Sequence, residues 1–402
     1  GEKIGWSPGY DLVLEARIVG DRGLQKGQSL TLEEALVRAA EHSSAVAVAQ
    51  AQWEGEAAGV RRLRGQLRPQ LGLRADHGWT DISHKIDPNG ADDFQGGSYG
   101  GELSLLLYND TLRSQLSAAR AGTRASVYGL EAARLDAMEA AGVAFVNLLL
   151  SQSLYEVAQG NYRLTENNLR LARLRNTIGA ADPAEVHRWE SNAARDQSAM
   201  IRQHGAVRDA LASVNRSLGY GQDRVWNPVA IDVDEEGLSF WGPGIDDHFS
   251  TLSRFEAFGR LMQEQALSAS PELSQFEAAI DARGYTYRRA KRQRYVPDVS
   301  GVSTWLHKPQ GSSLGPDDAQ DEFFIGLTAR LPLFEGGAIR AEIEGEAAAL
   351  RELTAQYRQA VEFVEEKSVT AWNSLASQHP SIRLSQKALA SARSNYEAIR
   401  SK

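Results

Sequence analysis

Two similar stretches decide the fold of this chain: L-L-L-Y-N-D-T at residues 105–111 and L-P-L-F-E-G-G at residues 331–337. Each stretch ends a segment in which apolar and polar residues alternate, and each leads into a long segment without proline. The two stretches are 226 residues apart, counted from Tyr108 to Phe334. The chain therefore carries two copies of one strand-to-helix junction, which indicates an internal duplication.

The duplication continues upstream of both junctions. At an offset of 228 and without a gap, P-E-L-S-Q-F-E-A-A, which begins at Pro271, aligns with S-S-A-V-A-V-A-Q-A, which begins at Ser43. The same offset places R-Y-V-P-D-V over Q-L-R-P-Q-L, so that Pro297 and Pro69 occupy equivalent positions. The offsets differ because the hairpin loops differ in length, and insertions are tolerated there. We predict a tandem repeat of helix–strand–loop–strand–helix.

The repeat divides the chain into predicted parts. They are an irregular arm over 1–29, a first repeat over 30–218, an acidic connector over 219–250 and a second repeat over 251–402. We predict β-hairpins over 69–108 and 297–334, and the first repeat ends in a helical hairpin with its tip near 175–183.

The predicted helices are long. T-L-E-E gives Thr31 and Glu34 the spacing of a capping box at the start of the first helix. The chain from Leu30 to about Leu67 lacks proline and is rich in helix formers, which predicts one continuous helix. The last helix is predicted to run to about His379, because a proline follows.

The tip of the helical hairpin has a clear sequence signature. Residues 110–178 contain no proline, and a helix of that length would span on the order of 100 Å. Gly179 suits the end of that helix, Asp182 an N-cap and Pro183 the first helical position. Glu185 then has the spacing of a reciprocal capping carboxylate.

The predicted strands have the pattern of a membrane barrel. Leu71, Leu73 and Ala75 alternate with polar residues. Each predicted strand has about ten to thirteen residues, which suits a tilted crossing of a bilayer that needs roughly 9–11. Four strands cannot close into a barrel, and an open edge in lipid would leave backbone groups without partners. Closure requires other copies, and three copies would give twelve strands. On strand pattern alone, a soluble α+β domain with two amphipathic hairpins remains an alternative.

Four aromatic residues lie where a membrane interface would need them. Tyr108 and Phe334 end the two descending strands, and Trp79 and Trp305 lie high on the ascending ones. Because aromatic side chains are enriched at both membrane–water interfaces, we predict that these four form girdles.

Composition excludes several functions. The chain of 402 residues has no cysteine, which excludes disulfides and thiolate chemistry, and its net charge of −8 disfavours nucleic-acid binding. The eight histidines are scattered and none has helical pairing, so no metal site is predicted. The glycine-rich G-G-S-Y-G-G at 96–101 precedes a strand and is no phosphate loop. We predict no catalytic residue, no cofactor and no enzyme activity.

A basic cluster precedes a strand in each repeat. The clusters are Arg61, Arg62, Arg64 and Arg68 in the first repeat, and Arg283, Arg288, Arg289, Lys291, Arg292 and Arg294 in the second. They indicate either a favourable interaction with the dipole at the C-terminal end of a helix or a collar of cations that contacts anionic lipid headgroups. The sequence leaves both interpretations open.

Four motifs in this order resemble those of the TolC-like outer-membrane efflux proteins, from Ser29 onward. The motifs are S-L-T-L-E-E-A-L at 29–36, R-P-Q-L at 68–71, V-N-R-S-L-G at 214–219 and L-P-L-F-E-G-G at 331–337. The resemblance implies an α+β membrane protein with a long α-helical periplasmic barrel. It also implies four strands per chain in a trimeric, twelve-stranded transmembrane β-barrel, with the connector in an equatorial belt.

The same resemblance implies a passive exit duct in the outer membrane for a tripartite efflux pump or a type I secretion system. The partners would be a periplasmic adaptor and an inner-membrane pump, and the cargo remains open between drugs, metals and proteins. The adaptor would meet the tip residues Leu174, Arg175, Asn176, Thr177, Ile178, Gly179, Ala180 and Asp182. A second tip is expected near position 405, beyond Lys402. The alternative is a soluble periplasmic coiled-coil scaffold or adaptor without a pore.

Overall fold

The computed structural model describes residues 27–80, 94–231, 251–308 and 320–400. The predicted arm over 1–29 lies outside these ranges except for residues 27–29. Most of both hairpin loops and residues 232–250 of the predicted connector also lie outside them.

The chain forms two compact units. The first comprises residues 1–50 and 130–245, and the second comprises residues 51–129 and 246–402. The units do not follow the two halves of the sequence repeat, because strand pairing gathers the hairpins of both repeats in the second unit.

The first unit is built from helices. They are α1 (Leu32–His42), the start of α2 (Ser44–Gln66), most of α3 (Asp110–Thr177) and α4 (Pro183–Ser217). Apolar residues recur in α3 and α4 at the i, i+3, i+4, i+7 spacing of a buried helix face. The buried residues with this spacing are Ala141, Ala144, Phe145 and Leu148 in α3, and Val207, Ala210, Leu211 and Val214 in α4.

Helix α3 includes an 18-residue stretch that is long and apolar enough to cross a membrane by length and composition alone. Core helices of soluble proteins share these two properties. Phe145 and Leu148 of α3 are fully buried in the core of the first unit, whereas Val143 and Leu150 are more than half exposed. Only 28% of the apolar stretch is buried, so packing within one chain accounts for part of it.

The first predicted helix is two helices. The capping box is present, since Thr31 Oγ1 accepts from the Glu34 amide at 3.2 Å and Glu34 Oε2 accepts from the Thr31 amide at 2.9 Å. The single helix from Leu30 to Leu67 was a wrong prediction, because Ser43 is extended (φ −60°, ψ 139°) and separates α1 from α2. Its hydroxyl accepts from the Ala45 amide at 3.3 Å, so one serine replaces a helical bond locally.

The motif V-N-R-S-L-G ends α4 and turns the chain. Gly219 has a left-handed φ of 71°, and the Tyr220 amide donates to the Asn215 carbonyl at 2.8 Å. The pattern is a Schellman motif, since the Gly219 amide also donates to the Arg216 carbonyl at 3.3 Å. A Cβ at this position would lie 2.6 Å from the His42 carbonyl oxygen, so both backbone angle and space require glycine.

The turn leads into a buried pair of hydrogen bonds made by the side chain of Asn215. Strand β1 (Gln28–Leu30) pairs in parallel with β4 (Trp226–Pro228). Asn215 is fully buried; its Nδ2 donates to the Arg224 carbonyl at 2.9 Å, and its Oδ1 accepts from Trp226 Nε1 at 2.7 Å. Asn215 thus ties the end of α4 to the strand pair with two bonds.

The second unit combines helices with an antiparallel sheet. Its helices are α5 (Leu252–Ala269), α6 (Pro271–Arg292) and α7 (Ala338–Arg400), together with parts of α2 and α3. The sheet has the order β2–β3–β5–β6, with β2 (Gln70–Thr80), β3 (Phe94–Tyr108), β5 (Asp298–Lys308) and β6 (Gln320–Arg330).

The registers of the two hairpins are related by the repeat. In the first hairpin Gln70 pairs with Ser104. The offset of 228 carries Gln70 to Asp298, the offset of 226 carries Ser104 to Arg330, and the second hairpin pairs Asp298 with Arg330. Each position of one hairpin therefore has a defined counterpart in the other.

Helix α7 continues beyond its predicted end. It runs through Pro380 to Arg400, so the prediction that it ends near His379 was wrong. Proline removes one backbone donor, whereas the turns on both sides keep theirs, and the Ser381 hydroxyl donates to the Ser377 carbonyl at 2.9 Å. Tertiary packing also holds α7, because Trp372 packs against Phe255 of α5 with ring centroids 4.6 Å apart.

Candidate functional site: an open sheet and a helical tip

One face of the four-stranded sheet is apolar. Residues that pair directly across antiparallel strands point to the same face, and Leu71 pairs with Leu103, which pairs with Ser303, which pairs with Ile325. Following these pairs along the strands gives Leu71, Leu73, Ala75, Tyr99, Leu103, Leu105, Val299, Trp305, Phe323, Ile325, Leu327 and Ala329, together with the polar residues His77, Ser303, His307 and Asp321.

This apolar face is exposed in the single chain. Leu73 is 88% exposed, Leu327 76% and Ile325 75%. Soluble monomers rarely expose a contiguous apolar patch of this kind, because each such side chain gains free energy when it leaves water. The face is suited to an apolar surrounding, as lipid would supply.

The opposite face is mainly polar. It carries Gln70, Arg74, Asp76, Glu102, Ser104, Thr304, Lys308, Glu322 and Thr328, together with apolar Leu106, Val302, Leu306 and Phe324. Ion pairs form on it, with Arg74 Nε 2.6 Å from Asp76 Oδ2 and Lys308 Nζ 2.5 Å from Glu322 Oε1. The sheet is therefore mainly apolar on one face and mainly polar on the other.

Both edges of this sheet are open in the described chain. Strand β2 pairs with β3 and strand β6 pairs with β5, and within the described residues neither edge strand has a second partner. In lipid the free amides and carbonyls of β2 and β6 need partners from another chain.

A β-bulge ends β3 and sets the direction of Tyr108. Leu106 pairs with Ser300, but Tyr108 pairs with Val299, so Leu107 is the extra residue. Without the bulge Tyr108 would share the polar face with Leu106, whereas with it Tyr108 joins Val299 on the apolar face. The guanidinium of Arg113 lies 4.7 Å from the centre of the Tyr108 ring. Alternation along the sequence could not show this bulge.

The other predicted girdle residues lie at the two ends of the sheet. Phe334, just after β6, is 87% exposed, and Trp305 is 44% exposed with its ring 6.2 Å from that of Tyr99 in a T-shaped contact. The backbone of Trp79 pairs with that of Gln95, and the Trp79 side chain lies outside the described part of the structure.

The predicted tip is a Schellman turn between α3 and α4. Gly179 has a φ of 72°, its amide donates to the Asn176 carbonyl at 3.0 Å, and the Ala180 amide donates to the Arg175 carbonyl at 2.8 Å. Asp182 caps α4, since its Oδ1 accepts from the Ala184 amide at 2.8 Å.

Ion pairs join the two helices near the tip. The Glu185 carboxylate lies 3.9 Å from the Arg175 guanidinium, so it bridges the helices instead of completing the predicted capping box. Glu190 accepts from Arg173 at 2.8 Å and lies 3.2 Å from Nδ1 of His187. These hydrogen bonds, first that from Arg173, hold the pKa of Glu190 below its ordinary value.

The tip presents apolar side chains beside these charges. Leu174 is 61% exposed and Ile178 71% exposed, and Ala180 follows the turn. All eight predicted tip residues therefore lie in one short, exposed turn and the helix end that enters it.

The second basic cluster acts largely within the chain. Arg292 donates to Asp110 Oδ1 at 3.0 Å and to Ser114 Oγ at 3.1 Å, which ties α6 to the start of α3. Arg289 pairs with Glu342, and Arg283 lies 3.5 Å from Glu346, which ties α6 to α7. Neither the dipole nor the lipid-collar hypothesis included these carboxylates, which are distant in sequence.

The described residues offer no metal site, since they contain no group of three or more His, Asp or Glu side chains placed to hold a metal ion. A sheet that is apolar on one face and mainly polar on the other, with open edges and long helices, defines the class of β-structured outer-membrane proteins.

The family can be named more closely. A family model described as outer membrane efflux protein matches residues 35–220 and 262–402. The chain belongs to this family, which places it in the outer membrane with a periplasmic extension. This membership does not support the alternative of a soluble scaffold.

Individual relatives agree with this assignment. The pyoverdine export outer membrane protein OpmQ of Pseudomonas aeruginosa is 24% identical over 341 residues, which cover 82% of this chain and 66% of OpmQ. The alignment thus spans slightly less than two thirds of that relative. The CmeC outer membrane channel of Campylobacter jejuni shares the fold, with a TM-score of 0.68 and 17% identity over 92% of this chain and 74% of CmeC. CusC does so as well, with a TM-score of 0.68 and 16% identity over 90% of this chain and 79% of CusC.

Proposed function

We propose that this chain is one subunit of a trimeric outer-membrane channel that serves as a passive exit duct for a tripartite efflux pump or a type I secretion system. The observation that carries the proposal is the sheet with an exposed apolar face, a mainly polar face and two open edges. Three such sheets give twelve strands, an even number within the range of known membrane barrels.

In this arrangement the apolar face contacts lipid and the polar face lines the channel. The charged residues Arg74, Glu102 and Glu322 then remain hydrated, which avoids the cost of burying charge in hydrocarbon. Tyr108 and Phe334 form one aromatic girdle, and Trp79 and Trp305 form the other. The strand lengths of 11 residues for β2, β5 and β6 suit a tilted crossing of the bilayer.

The long helices of both repeats form the periplasmic barrel of the channel. The connector over 219–250 belongs to its equatorial belt. The tip around Gly179 is the docking surface for a periplasmic adaptor, and exposed Leu174 and Ile178 supply apolar contact between charged neighbours. An inner-membrane pump supplies the energy for transport.

The lipid-facing role is tested on two adjacent residues of the inner strand β3. Leu103 lies on the apolar face and Glu102 on the polar face. Leu103→Lys places a charge in lipid and should lower insertion by about 2–4 kcal/mol near the bilayer centre, or about 30- to 1,000-fold. Glu102→Lys adds the same side chain to the lumen and should insert normally, while it shifts the ion selectivity of the open channel towards anions.

The measurement is insertion of the full chain into liposomes, followed by conductance in planar bilayers. Equal insertion of both lysine variants would contradict the proposal, because a soluble protein tolerates lysine at either exposed position. A chain that stays a water-soluble monomer without detergent would contradict it as well.

A further inference from the structure

The repeat predicts which strand pairs with each open edge of the sheet. We infer that β6 of one copy pairs with β2 of a second copy in the register that β3 and β5 already have within one chain. The inference rests on the proposed function, since it names the residues of the contact that closes the barrel.

The two edges are equivalent to strands that are already paired. The repeat relates β2 to β5 and β3 to β6, and the hairpin registers obey its offsets at every pair. The β3–β5 contact joins the first repeat to the second. In a closed ring of copies, the remaining contact joins a second repeat to the next first repeat, so β6 takes the role of β3 and β2 the role of β5.

The offsets then determine the register. Leu103 pairs with Ser303 within the chain, and the counterparts of these residues are Ala329 and Ala75. Ala329 should therefore lie opposite Ala75 of the second copy. By the same transfer, Leu327 lies opposite His77 and Ile325 opposite Trp79, and Arg330 lies opposite Arg74.

This register is consistent with the faces of the sheet. It places apolar-face positions opposite one another, whereas a slip of one residue would set Ala329 opposite a charged residue, Arg74 or Asp76. Arg330 and Arg74 are like charges and would repel each other when directly opposite. Asp76 already accepts from Arg74 at 2.6 Å and lies diagonal to Arg330, so one carboxylate is placed to offset both cations.

The bulge extends the contact beyond β6. The bulged pair Tyr108 and Val299 transfers to Phe334 and Leu71, so the 331–334 segment would continue the strand against the second copy. In the single chain Phe334 is 87% exposed and Leu71 77% exposed, and the contact would place the two side chains next to each other on the lipid-facing side of the sheet. Pro332 takes the place of Leu106 beside the bulge, a position where a missing backbone donor is tolerated.

The register can be tested by disulfide formation, because the chain has no cysteine of its own. The test uses the full chain, reconstituted in lipid, with Ala75→Cys and Ala329→Cys together. Directly opposed residues have Cα atoms about 4.5–5.5 Å apart, within the range of a disulfide, whereas diagonal residues are about 7–8 Å apart. Oxidation should link the copies, and a denaturing gel without reductant should show covalent oligomers that return to monomers on reduction.

Matched variants test the register itself. Ala329→Cys combined with Leu73→Cys or with His77→Cys should link about tenfold less, because these positions are diagonal in the inferred register. Leu103→Cys with Ser303→Cys is the equivalent pair within one chain, and it should form a disulfide without any oligomer. Faster linking of a shifted pair, or no linking of the Ala75 and Ala329 pair, would overturn the inference. Conductance of the same reduced protein shows separately whether the proposed channel function holds.

Discussion

Replacing Asn215 with alanine should open the end of α4 and the β1–β4 pair. Asn215 is fully buried and makes two hydrogen bonds, one to the Arg224 carbonyl and one from Trp226 Nε1. Alanine removes both bonds and leaves a buried indole N–H and a partly buried carbonyl without partners. Each unsatisfied group costs about 1–3 kcal/mol, and because the Arg224 carbonyl is only partly buried we expect the lower part of the summed range, a local loss of about 2–4 kcal/mol.

Hydrogen exchange measured by mass spectrometry tests this loss where it occurs, without assuming that the whole protein unfolds in one step. Amides in the 214–228 and 27–31 segments should exchange about 30 to 1,000 times faster in Asn215→Ala than in the unchanged chain. Trp226→Phe removes one of the two bonds and should have a smaller effect, of about 1–2 kcal/mol. Asn161→Ala, at an exposed position of α3, is the matched control and should change exchange little.

The double variant, Asn215→Ala with Trp226→Phe, measures the coupling between these two side chains. When Trp226 is already phenylalanine, Asn215→Ala no longer strands an indole N–H, so its added effect should fall by about 1 kcal/mol or more. Two outcomes would show that the hydrogen bonds of Asn215 do not stabilise the region. One is strictly additive losses of free energy in the double variant, and the other is amide exchange in Asn215→Ala within about threefold of the unchanged chain.

Two further predictions concern the turns and the tip. Gly179→Ala should cost about 1–2 kcal/mol through its left-handed backbone, and Gly219→Ala should cost more, because its Cβ would also meet the His42 carbonyl at 2.6 Å. Thermal unfolding followed by circular dichroism compares them, and equal shifts would contradict the steric argument. Since the folded pKa of Glu190 is lowered, its contribution to stability is present above its unfolded pKa of about 4.3 and is lost as pH falls through the folded value. Glu190→Gln should reduce this acid sensitivity in proteolysis of the tip at pH 3 to 7, and an unchanged profile would refute it.

Local signals in the sequence predicted the first capping box and the turn of the helical hairpin. Gly179 and Asp182 were assigned to the tip, and Thr31 and Glu34 to a capping box, because each of these features depends on residues no more than five positions apart. The same dependence on local signals explains the two wrong helix ends, at Ser43 and at Pro380. Local spacing does not show that the chain is extended at Ser43 or that it stays helical through Pro380, because contacts from the surrounding structure decide both.

The sequence by itself determined the internal repeat, the alternation of the strands and the family. These are properties of spacing along the chain, and spacing does not depend on what the residues contact. Only the tertiary structure decided that Leu107 is bulged out and Tyr108 turned to the apolar face, that Arg292 pairs with Asp110, and that β3 lies beside β5. Each of these contacts joins residues that are adjacent only after folding, because strand register and long-range ion pairs are set by neighbours distant in the chain.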